Sequence, residues 1–230
     1  MVIDISLVQV LPLFRQTPPE ALEKLLARAT ARRAAQDTVI FEQGRQAEWF
    51  YLLVQGRLKV WHVTPEGQQV MVRVVHPGEL FGFARALSRT DYPGTARAAV
   101  DSLMLCWPTG DWDRVIEMTP QMALSAVRNI GQQLDEAHTR LRELQTQQVE
   151  RRIAHAILRL AEKSGRLQDG ALLIDFPITR QDIAEMTGST LHTVSRLLSA
   201  WEERGLVGGG RKRLTVLDRD GLARIADPDS

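Results

Sequence analysis

The apolar residues of this 230-residue chain recur with a helical period towards both ends and with a period of two in between. From Pro18 to Arg33, Leu22, Leu25, Leu26 and Ala29 mark one face of a helix. From Val39 onward the spacing is that of strands. Residues 39–41 stop at Gln43-Gly44, residues 50–54 at Gln55-Gly56, and residues 58–63 at the Pro65-Glu66-Gly67 turn. Residues 70–75 stop at Pro77-Gly78, and two further runs cover 95–100 and 103–107. Short strands punctuated by Gly and Pro at roughly ten-residue spacing predict a sandwich or small barrel. An eight-stranded jelly roll is one such arrangement that protects its sheet edges.

The helical period returns near residue 120. Val127, Ile130, Leu134, Ala137, Leu141, Leu144 and Gln148 are separated alternately by three and four residues, which is a heptad seam. A helix from Pro120 to Gln148 is roughly 45 Å long at 1.5 Å per residue. Its flanks are polar, with Arg128, Gln132, Gln133, Asp135, Glu136, Arg140, Arg142 and Glu143. So long and narrow an apolar stripe predicts a partner helix, most simply its own copy in a second subunit. The polar run at 145–148 predicts a hinge. Ile153, Ala156, Ile157 and Leu160 then predict a helix that packs under the C-terminal elements. The expected division is 1–118, 119–148 and 149–230.

In the last segment Thr179 is placed to N-cap a helix, and Asp182 three residues on completes a capping box. Ile183, Ala184 and Met186 give that helix an apolar face, and Gly188 is placed to end it. Ser189 offers the next N-cap. From Thr190 to Arg204, Val194, Leu197, Leu198 and Trp201 recur at helical spacing, and Gly205 ends the run. Two short helices joined by a Gly-containing turn predict a helix-turn-helix. The outward face of the second helix is polar, with His192, Ser195, Arg196 and Ser199, as a helix entering the major groove requires. Leu206-Val207 and residues 214–217 predict two strands around the turn Gly208-Gly209-Gly210-Arg211-Lys212-Arg213, a basic wing suited to phosphate. The fold class is α+β: an N-terminal jelly roll, a long dimerisation helix and a C-terminal winged helix-turn-helix.

Composition narrows the class without deciding it. The net charge is only +1, so a nucleic-acid surface has to come from where the charges fall, at Arg180, Arg196, Arg211, Lys212 and Arg213. No stretch is long and apolar enough to span a membrane. Cys106 is the single cysteine, which rules out an intrachain disulfide. That, with an N-terminus that lacks a basic leader and carries Asp4, gives a cytoplasmic location as the expectation. An enzyme on a jelly-roll scaffold is the competing class. His62 and His76 stand alone, with no His-x-His pair, phosphate loop or nucleophile elbow to carry such chemistry.

Phe41-Glu42-Gln43-Gly44, Val54-Gln55-Gly56-Arg57-Leu58, Pro77-Gly78-Glu79-Leu80-Phe81-Gly82, the long helix and residues 178–206 together resemble the CRP/FNR family of bacterial transcription regulators, over nearly the whole chain. The resemblance implies an effector-binding jelly roll, a dimerisation helix, a winged helix that binds palindromic double-stranded DNA, and contact with RNA polymerase. In the dimer, Val127, Ile130, Leu134, Ala137, Leu141 and Leu144 would form the interface. Bases would be read by the positions of His192, Ser195 and Arg196. Phosphates would be met by Thr179, Arg180, Gln181, Ser189 and Thr193, and by Arg211, Lys212 and Arg213 of the wing. Half-sites would lie about one helical turn, roughly 34 Å, apart.

For the effector, the family's cAMP-binding members carry a Glu soon after the second glycine of the Pro-Gly-Glu-x-x-Gly stretch, and then an Arg-Ser pair. Here Gly82 is followed by Phe83-Ala84-Arg85, and Tyr92-Pro93 fall at the Arg-Ser position, with Arg97 nearby. A cyclic phosphate would lack its cation, so cAMP is not expected. One cysteine cannot hold an iron–sulfur cluster. Residues 187–196 resemble the NnrR/DNR-like branch, which implies a nitric-oxide response through haem and control of nitrogen-oxide respiration. Candidate ligands are then His62 and His76, with His138, Met71 and Cys106 behind them. Phe81, Phe83, Tyr92 and Arg97 are the candidate pocket residues. A regulator that acts constitutively, or through a non-haem small molecule, is the alternative.

Overall fold

Five consecutive buried residues in β3 (Trp49–Gln55) explain why this strand reads as an unbroken apolar run. Both of its faces are covered. Phe50, Leu52 and Val54 point to one core, and Tyr51 and Leu53 to another, as the period of two demands. The computed structural model describes residues 5–15, 17–210 and 212–228. The chain divides into two compact units, one of residues 1–68 and 72–135, the other of residues 69–71 and 136–230.

The first unit opens with α1 (Ile5–Gln9) and α2 (Pro19–Ala27). The strands follow: β1 (Thr30–Ala34), β2 (Val39–Phe41), β3, β4 (Leu58–Val63), β5 (Gln69–Val75), β6 (Leu80–Phe81), β7 (Thr95–Ala98) and β8 (Ser102–Pro108). They form two four-stranded sheets, ordered β1-β8-β3-β6 and β2-β7-β4-β5, in a jelly-roll arrangement. Tyr51, Leu53, Met104 and Cys106 fill the space between the sheets with Ile40, Leu58, Ala96 and Ala98. On the opposite face of β3 and β8, Phe50, Leu52, Leu105 and Trp107 meet Val8, Phe14, Leu22 and Leu25, together with Trp112 and Val115 of α3 (Trp112–Met118). The Trp107 indole N–H donates to the Leu25 carbonyl at 3.2 Å, so this buried ring keeps its hydrogen bond.

The helical pattern expected over 18–33 is cut short. α2 ends at Ala27, and residues 30–34 pair antiparallel with β8, Thr30 opposite Cys106 and Ala34 opposite Ser102. β1 is a sheet edge on which only Ala34 is buried, so it carries no apolar alternation to announce it. β6, two residues long, is too short to show a period.

α4 (Pro120–Thr146) is the long helix. In the second unit its C-terminal part is tied to α5 (Val149–Ser164). Buried Glu143 accepts from Nη1 and Nη2 of Arg159, at 2.5 and 3.1 Å, and Glu136 pairs with Lys163. Only Gln147 and Gln148 separate α4 from α5, with Gln148 as the N-cap of α5, so the interruption between the two helices falls inside the polar run 145–148. β9 (Gly165–Gln168) and β10 (Ala171–Ile174) follow, then α6 (Arg180–Thr187), α7 (Leu191–Glu203), β11 (Val207–Gly210), β12 (Arg213–Val216) and α8 (Arg219–Ala226). The sheet order is β11-β12-β10-β9, and α5 packs on α6 and α8. Trp201 of α7 is fully buried, and its indole N–H reaches Glu150 Oε1 at 3.2 Å.

The wing differs from its sequence reading. Gly208, Gly209 and Gly210 lie within β11, opposite Thr215, Leu214 and Arg213, and β12 begins at Arg213. At Gly209 a Cβ would meet the Arg213 carbonyl oxygen at 2.3 Å, so glycine lets the two strands approach rather than forming the loop. Lys212 carries the turn with a left-handed φ of 62°, and Arg211 lies outside the described residues.

Candidate nucleic-acid interface and effector pocket

The helix-turn-helix is set by its caps. Thr179 Oγ1 accepts from the Asp182 N–H at 3.0 Å, and the Asp182 carboxylate accepts from the Thr179 N–H at 2.7 Å. The capping box is complete. Gly188 then turns the chain at φ +59°, a left-handed value that favours glycine, and a Cβ there would come to 3.1 Å of Leu144 Cδ2. The second helix is capped by Thr190, whose hydroxyl accepts from the Thr193 N–H at 3.1 Å, and not by Ser189. Ser189 is one residue too early, because its own N–H still closes the end of α6 on the Ala184 carbonyl.

On α7, Val194, Leu198 and Trp201 are buried and Leu197 is half-buried, so the apolar stripe faces the core. His192 and Arg196 are exposed and Ser195 is half-buried beside them. The three expected base-reading residues therefore share one open face. A groove of about 590 Å³ runs between α6, α7 and the wing. Its walls include Arg180, Gln181, Leu191, Lys212 and Arg213.

The expected phosphate contacts differ in how free they are. Thr179 is committed to its cap. The Arg180 guanidinium donates to the Ser195 carbonyl and to Ser199 Oγ, both at 3.3 Å, and to Glu202 at 3.2 Å. In this structure it braces α6 against α7. Gln181 is exposed and donates to Glu185 Oε1 at 3.0 Å. Thr193 shares a hydroxyl contact of 2.9 Å with Thr190, Ser189 is half-buried, and Lys212 and Arg213 are exposed on the wing.

The seam of α4 sorts into two kinds of residue. Ile130 packs against the jelly-roll core. Val127, Leu134, Leu141 and Leu144 remain 66%, 54%, 56% and 49% exposed, and Ala137 is exposed with them. A row of open aliphatic side chains at heptad spacing on one helix is unsatisfied in a single chain.

A second cavity, about 100 Å³, opens in the jelly roll. Phe41, Val60, Phe81, Phe83, Leu87 and Pro93 make its apolar wall, and His62, Arg73 and Gln133 add polar groups. Gly82 lies in this wall at φ +68°, where a Cβ would meet the Tyr51 ring at 2.9 Å. Arg73 sits on the inward face of β5 with Met71 and Val75, and donates to Asn129 Oδ1 at 2.5 Å and to Glu79 Oε2 at 3.2 Å. Buried Asn129, on α4, also donates to the Leu80 carbonyl at 3.1 Å and accepts from Gln133. Burial by itself would raise the Glu79 pKa, but hydrogen bonding from His76 and the Arg73 charge outweigh it, and the carboxyl lies below its ordinary 4.5. Its stabilising contribution is complete above that value and is lost as the pH falls through the folded pKa. Urea midpoints of the wild type should therefore fall more steeply than those of Glu79→Gln between pH 5 and pH 3. Parallel curves would contradict this.

Phe81, Phe83 and His62 thus line the cavity, whereas Tyr92, Arg97 and His76 do not. Tyr92 is buried. Its ring stacks on Phe41 at 3.9 Å between centroids, and its hydroxyl donates to the Trp49 carbonyl at 2.8 Å. The Arg97 guanidinium lies over the Trp61 ring at 5.9 Å, and His76 Nδ1 is 3.3 Å from Glu79. Met71 is fully buried and His138 exposed. Burial pushes the Cys106 thiol up to about 12, against a small opposing effect of Arg32. Phe41, Arg73 and Gln133 were missed in the sequence. For Arg73 there was a signal, a charged residue on the apolar face of a strand.

Among the described residues no helix is long and apolar enough to cross a membrane, and no cluster of three or more His, Cys, Asp or Glu side chains forms. Residues 31–119 match the cyclic nucleotide-binding domain, and residues 151–225 the Crp-like helix-turn-helix domain. The chain is 29% identical over 216 residues to the cyclic AMP receptor protein of Thermus thermophilus, covering 94% of this chain and 96% of that one. It is 30% identical over 198 residues to the transcriptional regulator LdrP of the same organism, covering 85% and 96%. Among solved structures it resembles TTHB099, a CRP-family transcriptional regulator also from Thermus thermophilus, with a TM-score of 0.71 at 27% identity, over 85% of this chain and 96% of that one. Both domain matches, and 30% identity to LdrP across nearly all of that protein, place the chain in the CRP/FNR family of DNA-binding transcription regulators.

Proposed function

We propose that the protein is a homodimeric regulator that reads palindromic DNA with α7 and responds to a small, largely apolar, non-haem effector in the jelly-roll cavity. The family assignment removes the enzyme reading. The observation that carries the effector proposal is the cavity wall itself. Arg73 and Gln133 stand in that wall, and both bond Asn129 of α4, one residue before Ile130 of the seam. A ligand that displaces either group acts on the helix that joins the two subunits. It shifts the population of dimer arrangements by its difference in affinity for them. The jelly roll of residues 1–118 then receives the signal, the helix of 119–148 transmits it, and residues 149–230 act on DNA and present a surface to RNA polymerase.

Size and charge argue for this class of effector. An apolar cavity of about 150 Å³ takes benzene, and this cavity of about 100 Å³ limits the effector to a molecule no larger than a single ring. Haem does not fit these residues, since the cavity is too small for a macrocycle and only His62 of the five candidate ligands lies in its wall. The nitric-oxide reading therefore has no support from the site. A cyclic phosphate fares little better, because Arg73 is the one Lys or Arg in the wall and already serves Asn129 and Glu79. The cyclic AMP receptor protein of Thermus thermophilus makes cAMP the necessary comparison all the same.

The test is a melting series with phenol and cAMP. A ligand at a hundred times its Kd adds about 2.7 kcal/mol to stability. Phenol should raise the Tm of the wild type, and Leu87→Trp, at a residue of the cavity wall, should remove the rise. cAMP should leave it unchanged. A Tm rise with cAMP, accompanied by tighter binding to a palindrome, would overturn the proposal.

A further inference from the structure

Arg180, at the start of α6, lines the groove that α6 and α7 form with the basic wing. Among the described residues of that wall, Glu202 is the one carboxylate, set against Arg180, Lys212 and Arg213. It holds Arg180 with both oxygens, which accept from Nη2 at 3.2 and 3.3 Å. The other end of the guanidinium, Nη1, donates to the Ser195 carbonyl and to Ser199 Oγ. The two side chains of the ion pair are 38% and 41% exposed, so a phosphate can reach them. A pair this open to water holds weakly. Beside it, Gln181 likewise bonds a carboxylate, that of Glu185. The polar groups that the first turn of α6 offers to a duplex are thus already engaged by acids of the same unit. Acidic and basic residues nearly balance over residues 149–230, so one cation more or less on the groove weighs heavily.

We propose that Glu202 is an affinity-determining residue, which restrains binding to every duplex by competing with a DNA phosphate for Arg180. The inference rests on the assignment of α7 as the DNA-reading helix. A phosphate neutralised by Lys or Arg releases a condensed cation, and that release drives binding. When Arg180 leaves Glu202 for a phosphate, the uncovered carboxylate attracts a cation in turn, and the exchange releases little. Glu202 thereby keeps the backbone contribution small without touching a base. Its effect is the same on matched and mismatched sequences, and discrimination between them is left to the base-reading face.

The test begins with the full-length dimer and a random duplex pool, from which its preferred sequence is enriched. Affinity for that sequence and for a scrambled duplex is then measured from about 50 to about 200 mM salt. Glu202→Gln removes the charge and leaves the Arg180 bonds to Ser195 and Ser199 in place, so the helix pair keeps its brace. Each half-site should gain one effective phosphate contact, about 0.9 in the slope of log affinity against log salt, or about 1.8 for the dimer. The variant should therefore bind both duplexes more tightly than the wild type, by a factor about twelvefold larger at the low salt than at the high. In an Arg180→Met background the same substitution should steepen the slope less than half as much. Equal slopes for Glu202→Gln and the wild type would overturn the proposal. So would a gain confined to the preferred duplex, or a steepening more than half as large without Arg180, which would be plain repulsion between Glu202 and DNA. A pool that yields no preferred sequence would instead refute the DNA-reading assignment, and this inference with it.

Discussion

Replacing Leu134 and Leu141 together by glutamate is expected to convert the protein from a dimer to a monomer. Both side chains are more than half exposed in the single chain, at heptad spacing on α4, so substitution should leave the fold of each unit largely intact. In the dimer the same change places four carboxylates in an apolar seam. A buried charge without a partner costs several kcal/mol, and like charges facing each other add to it. Sedimentation equilibrium gives the mass directly. Gln132→Glu, exposed on the flank of the same helix, is the control and should remain dimeric. The loss should extend to DNA. A dimer gains its second half-site at a high effective concentration, an advantage of roughly 10²–10⁴, and the monomer forfeits it. A double variant that sediments as a dimer would show that the open leucines serve something else.

The second large effect is expected at Arg196. It is exposed on the polar face of α7, one residue from Ser195 and four from His192, and its guanidinium is suited to the O6 and N7 of guanine. Arg196→Ala should cost about 1–3 kcal/mol of discrimination at one base pair, or about five- to 150-fold. Arg196→Lys should recover little of it, because an ammonium cannot make the bidentate pair. Binding measured on the preferred sequence and on duplexes altered at that guanine separates the possibilities. Loss confined to the preferred duplex supports base reading. Equal loss on preferred and scrambled DNA would reduce Arg196 to a phosphate contact.

Arg180 shows why not every cation of the motif acts alike. Its place at the start of α6 suggested a phosphate contact, but its guanidinium bonds Ser195, Ser199 and Glu202 across the helix pair. That arrangement depends on how α6 crosses α7, and no local pattern encodes it. The elements that were legible are those with local causes. The Thr179–Asp182 box, the Gly188 turn, the apolar runs of β3 and β5 and the alternation of β4 follow from neighbours in sequence. β1 was not legible, because an edge strand with one buried residue owes its form to pairing with β8, some seventy residues away. The wing glycines were misread for a related reason. Glycine signals both turns and close strand approach, and only the pairing of Gly209 with Leu214 tells which. The jelly-roll cavity lay furthest from view. Its polar groups come from β4, β5 and α4, and the sequence does not show that these converge.

The most direct test of the whole account is binding of the purified dimer to duplexes that hold two copies of the enriched half-site at graded separations. The account predicts inverted repeats bound best when their centres are one helical turn apart, roughly 34 Å, with affinity falling at half-turn offsets and for direct repeats. Equal affinity at every spacing and orientation, or for scrambled duplexes of the same length, would contradict it.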